Sequence, residues 1–135
     1  RISEQNVELV QRLYAAWARD EFRGPLALEL LDPDIEYVNP DGAIEPGIRR
    51  GLPAFIAAVE KVFEGWATWR MEPEQFTAAG DQVAVVVRYR ARGRRSGVAV
   101  EGRESALLTL RDGKVVRYEW FHGPGDALEA AARAE

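Results

Sequence analysis

A chain of 135 residues with 47% hydrophobic content is long enough to bury a core as one domain, residues 1–135, without crosslinks. It has no cysteine, which excludes disulfides, zinc-thiolate centres and thiol nucleophiles and leaves the redox compartment unread. A net charge of -4, from 22 acidic and 18 basic residues, argues against nucleic acid or an anionic membrane as the main partner.

No apolar run approaches the roughly 20 residues of a membrane span, and no charged-then-apolar signal segment opens the chain. A soluble cytoplasmic protein is therefore the expectation. The first residue is Arg1 rather than Met, which leaves room for a segment trimmed upstream.

Residues 3–22 place Val10, Leu13, Tyr14 and Trp17 at helical spacing, with Ser3 as N-cap, and predict a first helix with an aromatic inner stripe. A short second helix starts at Gly24-Pro25 and stops before Asp32-Pro33. "IEYVNP", residues 35–40, alternates as a strand and runs into a Pro-Asp-Gly turn. A third helix begins at Leu52, turns Phe55, Val59, Val62 and Phe63 inward and ends at Gly65. From Trp66 to His122 the chain is β-rich, with turn signals at Gly80-Asp81, in "GRRSG" (residues 93–97) and at Asp112-Gly113. An alanine-rich helix closes it. Helices followed by an antiparallel meander specify an α+β fold rather than a parallel α/β sheet.

The turns set a register. A two-residue loop at Asp112-Gly113 pairs Leu110 with Val115, Leu108 with Arg117, Ala106 with Glu119 and Glu104 with Phe121. A loop at residues 93–97 pairs Arg90 with Val100, Arg88 with Gly102, Val86 with Glu104 and Ala84 with Ala106. Together these put Ala84, Val86, Arg88, Glu104, Ala106, Leu108, Glu119 and Phe121 on one helix-covered face. An Arg between two carboxylates on such a face is either a site or a structural ion cluster at the open rim. The other face, with Val85, Val87, Tyr89, Ser105, Leu107, Tyr118 and Trp120, is also largely apolar and must be covered too. The helices cover only one side, so a second subunit is expected on the other: a homodimer through the outer sheet face.

The arginines Arg88, Arg90, Arg92, Arg94 and Arg95 read as a hairpin tip and solvated strand edge, since neither an aromatic platform nor a Gly-rich cradle accompanies them.

With its amphipathic first helix, "YVNPDG", "GDQVAVVVRYRARG", "LLTLRDGKVVRYEWF" and the closing "ALEAA", the chain resembles the SnoaL-like proteins of the nuclear-transport-factor-2-like superfamily over nearly its whole length. The resemblance implies a cone-shaped curved antiparallel sheet wrapped around helices, enclosing an apolar pocket, usually in a dimer built through the outer sheet face. It covers ketosteroid isomerases, polyketide cyclases, limonene-type epoxide hydrolases, dehydratases and non-catalytic binders. Fold alone does not choose among them.

Residue by residue, Asn39 falls where the ketosteroid isomerases carry a proton-shuttling aspartate, and an amide has no usable pKa for that role. Asp41, two residues on, substitutes for it or simply forms the turn. The limonene-type hydrolases are similar in having Tyr37 and Asn39 two apart to hold the attacking water, with Glu119 matching their second carboxylate and Arg88 their bridging arginine. Arg90 departs from their acidic proton donor, a role that only Glu104 can take here.

The expectation is an acid-base enzyme, a hydrolase or an isomerase/cyclase, acting on a small apolar oxygenated ligand. Glu119 is its base, Arg88 holds Glu119 and Glu104, Glu104 or Tyr37 donates a proton, and Asn39 positions water or a carbonyl oxygen. Hydration of an epoxide is the most specific version. The alternative is a non-catalytic binding protein with the same pocket. The ligand wall comprises Tyr14, Trp17, Phe63, Trp69, Val86 and Phe121, the first two read as core or pocket wall rather than as chemical participants; Trp66 and Trp69 line the mouth or cover a dimer edge. His122 reads as a rim or cap residue, and no metal or other cofactor is expected.

Overall fold

The computed structural model describes residues 1–20 and 24–134. In chain order the elements are α1 (Ile2–Asp20), α2 (Pro25–Glu29), β1 (Leu31–Asn39), β2 (Gly47–Arg50), α3 (Leu52–Phe63), β3 (Trp66–Ala79), β4 (Gln82–Gly93), β5 (Ala99–Arg111), β6 (Lys114–Phe121) and α4 (Asp126–Ala134). One curved, unclosed six-stranded sheet runs in the order β2-β1-β6-β5-β4-β3. All its pairs are antiparallel except β1 with β6, which is parallel. The α+β class expected from helices followed by a meander is the one observed.

α1 begins at Ile2, so Ser3 lies inside its first turn rather than capping it. Glu21 and Phe22, also expected in this helix, lie outside the described residues. α2 is shorter than expected because β1 starts at Leu31 and runs through Asp32, Pro33 and Asp34. β2 is an exposed edge strand of four residues, too short and too polar to show a periodic pattern.

The stripe predicted for α1 is buried, and of the α3 stripe Phe55 and Val59 are buried while Val62 and Phe63 are half-buried. Val10, Leu13, Tyr14 and Trp17 from α1, and Phe55 and Val59 from α3, join Ile35 of β1 and Val83, Val85 and Val87 of β4 in one core. Burying each large apolar side chain contributes about 1.5–3 kcal/mol, which makes this layer the main support of the fold.

The sheet register differs from the expected one by a residue at β5, for two local reasons. Asp112 (φ 52) and Gly113 (φ 77) adopt the left-handed pair that a tight hairpin needs, and Leu110 does pair with Val115. A bulge follows at once: Thr109 pairs with Arg117, and thereafter Leu108 lies opposite Tyr118 and Ala106 opposite Trp120. On the other side Arg92 pairs with Ala99, so the connection is one residue longer than residues 93–97 and Arg88 lies opposite Arg103.

A one-residue slip moves a whole strand to the other face. The inner, helix-covered face therefore carries Val83, Val85 and Val87 with Glu104, Ala106 and Leu108 and with Tyr118 and Trp120. The outer face carries Ala84, Val86, Arg88, Ser105, Leu107, Glu119 and Phe121. The expected grouping of Arg88, Glu104 and Glu119 on one face is thus corrected: the sheet separates Glu104 from the other two. Part of the outer face is covered within the chain, because α4 lays Ala127 and Ala131 on Ala84 and Leu107 beside Phe121. Ser105 fixes this helix: its buried hydroxyl donates to Gly123 O (2.6 Å) and accepts the Ala127 backbone N–H (3.1 Å).

Candidate active site

The inward positions of four strands converge with α1 and α3 on one cavity of about 490 Å³, counting the open space at its mouth. Trp17 of α1 and Phe55, Val59, Val62 and Phe63 of α3 form the helical wall. Tyr37 of β1, Trp69 and Met71 of β3, Glu104 of β5 and Tyr118 and Trp120 of β6 form the sheet wall. Among these lining residues Glu104 is the one charged side chain. It has no ion pair or hydrogen bond among the described residues.

Burial without a counter-charge disfavours the carboxylate and pushes Glu104 up from an ordinary 4.5 to about 7. At neutral pH the group is then present in both forms and can give or take a proton. Three buried phenols share its electrostatic neighbourhood. Burial raises the pKa of Tyr14, Tyr37 and Tyr118, and the Glu104 charge adds to each shift, so all three stay neutral hydroxyls. The hydroxyls of Tyr14 and Tyr118 lie 3.1 Å apart in a hydrogen bond. Tyr14 is outside the lining, and either hydroxyl can donate in this pair; when Tyr14 donates, the Tyr118 hydrogen is left for the cavity.

Rings hold the wall rigid. Tyr37 meets Phe55 edge-on at 4.8 Å, and Tyr14 and Tyr118 each meet Trp17 edge-on at 5.2 and 5.6 Å. Trp69 stacks on Tyr89 at 5.4 Å with 7° between planes. Tyr89 in turn lies over Gly102, where an added Cβ would fall 2.7 Å from the Tyr89 hydroxyl, so this close approach requires glycine.

Of the residues expected at the site, Tyr37, Glu104, Trp17, Phe63 and Trp69 are brought together. The others are not. Asn39 is buried, and its amide is occupied by protein: Nδ2 donates to Glu45 O at 2.5 Å, and Oδ1 accepts the indole N–H of Trp120. It pins the β1–β2 connection to β6 instead of facing a ligand. Arg88 lies on the outer face 3.6 Å from Glu101, which also meets Arg90 at 3.6 Å. Glu119 lies on that face 3.5 Å from Arg117, whose other nitrogen meets Glu36 at 2.9 Å. Val86 and Phe121 are outer-face residues as well, the latter packed under α4. Asp41 is exposed in the turn, and His122 is exposed with its ring edge-on to Trp120 at 5.1 Å.

The lining residues missed were Tyr118 and Trp120 on β6 and Met71 on β3, together with Phe55, Val59 and Val62 of α3, which were expected inward but not as ligand wall. The β-bulge beside Thr109 is what brings Tyr118 and Trp120 onto the face of Glu104, and no residue type in the sequence announces it. Among the described residues no group of three His, Asp or Glu side chains converges as metal ligands, and no helix is long and apolar enough to cross a membrane.

A curved sheet with helices on its inner face and an aromatic cavity between them defines the cone-shaped α+β class of the nuclear-transport-factor-2-like superfamily. The chain belongs to the SnoaL-like domain family, whose model matches residues 10–118. It is 29% identical over 132 residues to an uncharacterized protein of Mycobacterium tuberculosis, covering 94% of this chain and 95% of that one. A structure from Jannaschia sp. CCS1, assigned to the SnoaL-like polyketide cyclases, is 27% identical with a TM-score of 0.78 and covers 99% of this chain and 95% of its own. A nuclear-transport-factor-2-like protein of unknown function from Burkholderia pseudomallei superposes with a TM-score of 0.78 at 23% identity, over 93% of this chain and 95% of that one, a likeness of fold.

Proposed function

We propose that this protein is an acid-base enzyme that moves a proton on an apolar, oxygenated small molecule, with Glu104 as the transferring group. One observation carries the reading: a carboxyl with no ion pair or hydrogen bond among the described residues, pushed up to about 7 by burial inside an otherwise apolar cavity. Such a group is matched to proton transfer at neutral pH, where a base near the working pH combines availability with strength. It replaces Glu119 as the base, since Glu119 lies across the sheet.

The chemistry that fits is isomerisation or cyclisation of an enolisable ketone. Ionised Glu104 takes the proton next to the carbonyl, and the neutral phenols of Tyr37 and Tyr118 donate hydrogen bonds to the oxygen as it gains charge. The protonated carboxyl then returns the proton to another carbon in isomerisation; in cyclisation the enolate carbon bonds to a second carbonyl carbon of the substrate, and the proton goes to the oxygen of that carbonyl. These steps draw on side chains alone. Epoxide hydration is favoured less, because Asn39, Arg88 and Glu119, the set that would hold and activate its water, do not face the cavity. The relationship to the Jannaschia protein supports the cyclase side of this reading.

The test is a screen of enolisable ketones and epoxides against wild type and Glu104→Gln. Turnover of a ketone that falls at least a hundredfold in the variant supports the assignment, and turnover untouched by the change sinks it. A binding protein remains the competing reading, in which protonated Glu104 is only a hydrogen-bond donor; it predicts ligand binding with no turnover. The protein is further proposed to act as a homodimer through the part of the outer sheet face that α4 leaves uncovered, where Val38, Val86 and the exposed Ile48 lie.

A further inference from the structure

Tyr37 of β1 lies directly opposite Arg49 of β2 in the antiparallel register, so the two side chains leave the same face of the sheet with Cβ atoms about 5 Å apart. That face is the inner one: the next residue along β2, Arg50, points outward to Glu36 at 2.7 Å. The Arg49 guanidinium is held at both of its ends. Nη1 donates to Pro46 O at 3.1 Å, Nη2 meets Glu45 at 3.4 Å, and the side chain is 30% exposed. Glu45 does not cancel this charge, because its other carboxylate oxygen meets Lys61 of α3 at 3.4 Å. One carboxylate shared by two cations leaves the cluster with a net positive charge beside Tyr37. Its field reaches the phenol: burial raises the pKa of Tyr37, and Arg49 draws it part of the way back. Tyr118 instead has the neutral Tyr14 as its partner, and no cation among the described residues acts on either of these two phenols.

We propose that Arg49 is a positioning residue for proton transfer by Glu104: from its place opposite Tyr37 its charge stabilises negative charge on a ligand oxygen hydrogen-bonded to the Tyr37 hydroxyl, and makes Tyr37 the leading donor to that oxygen over Tyr118. The role rests on the pocket reading above and adds an orientation to it, with the ligand carbonyl turned toward β1. Arg49 is outside the cavity lining, so it acts on the oxygen through Tyr37 and the surrounding low-dielectric wall rather than by contact. The oxygen carries its full charge only after Glu104 has taken the proton. A fixed cation on that side therefore favours the enolate over the neutral ketone, which is the difference that speeds a reaction.

The test uses Glu104→Gln protein, in which the amide stands for the protonated carboxyl, and two probes of similar shape. 4-Nitrophenolate carries its charge on one oxygen as an enolate does, and 4-nitroanisole is neutral. Affinities are read from probe absorbance at a pH where free nitrophenol is ionised. Adding Arg49→Gln is expected to weaken 4-nitrophenolate about fivefold and to leave 4-nitroanisole unchanged, while Arg49→Lys, which keeps the charge, restores most of the loss. With Tyr37→Phe in place, Arg49→Gln is expected to have little further effect, because the phenolate is then left to Tyr118, which has no cation acting on it. A phenolate affinity that Arg49→Gln leaves unchanged overturns the role, and so does a loss shared equally by the two probes, which marks a structural effect; either result leaves the pocket reading standing. If neither probe binds Glu104→Gln or wild type, the pocket reading falls and this role with it. Should Arg49→Gln fail to fold, the same comparison made with and without Arg49→Gln in Glu45→Gln protein, where no carboxylate loses a partner, decides.

Discussion

The side-chain oxygen of Asn39 accepts the indole N–H of Trp120, while the Asn39 amide nitrogen donates to Glu45 O. Both ends of one buried amide are thereby used to bind β6 to the loop that follows β1. Asn39→Asp sets a carboxylate oxygen against the Glu45 carbonyl in a site that is 3% exposed. The expected cost is about 3 kcal/mol, from two facing acceptors and a buried charge, with no gain in isomerase activity. Chemical denaturation checks the first part and a ketone isomerisation assay the second; new activity in the variant would restore this position to the site.

Glu104 makes stability pH-dependent in a definite direction. Its folded pKa of about 7 lies above the unfolded 4.5, so the folded state holds the proton more tightly. Stability from this group is full below about 4.5, falls as pH rises toward 7 and levels off above it, a loss of roughly 3 kcal/mol. Glu104→Gln removes that titration. Relative to wild type the variant gains stability between pH 5 and pH 8, which urea melts at both values read directly.

Ser105 ties α4 to the outer face through two hydrogen bonds at a fully buried position. Ser105→Ala leaves the Gly123 carbonyl and the Ala127 N–H without that partner and is expected to cost about 1–3 kcal/mol. Hydrogen exchange locates the effect: protection falls in α4 and is kept in α1 and α3, which pack on the opposite face.

The helices and the class of the sheet were readable because their signals are local and redundant. Val10, Leu13, Tyr14 and Trp17 repeat at helical spacing, and Asp112-Gly113 occupies the one loop that its left-handed backbone angles suit. The site was readable only in its parts. Glu104 and Tyr37 were both named, yet Glu104 was grouped with Arg88 and Glu119, because a bulge beside Thr109 and one extra residue in the β4–β5 connection each turn β5 over. Neither irregularity has a residue signature. Asn39 was misjudged for another reason: its partners, Trp120 and Glu45 O, are set by tertiary pairing that spacing along the chain does not encode.

The proposed homodimer makes its own claim on the outer face. Sedimentation at micromolar concentration is expected to give twice the 15.1 kDa chain mass. Ile48→Glu, on an exposed edge strand of that face, is expected to shift the equilibrium to monomer with little loss of fold. A wild-type monomer would contradict the assembly.

The most direct test of proton transfer by Glu104 needs no substrate: a pH titration of the Glu104 carboxyl carbon by ¹³C NMR, with Glu104→Gln to identify the signal. A midpoint near 7 is expected, carried by a buried carboxyl that has no cation partner among the described residues. A midpoint near the ordinary 4.5 would mean that the group is solvated or paired, and would remove the proton-transfer role assigned to it.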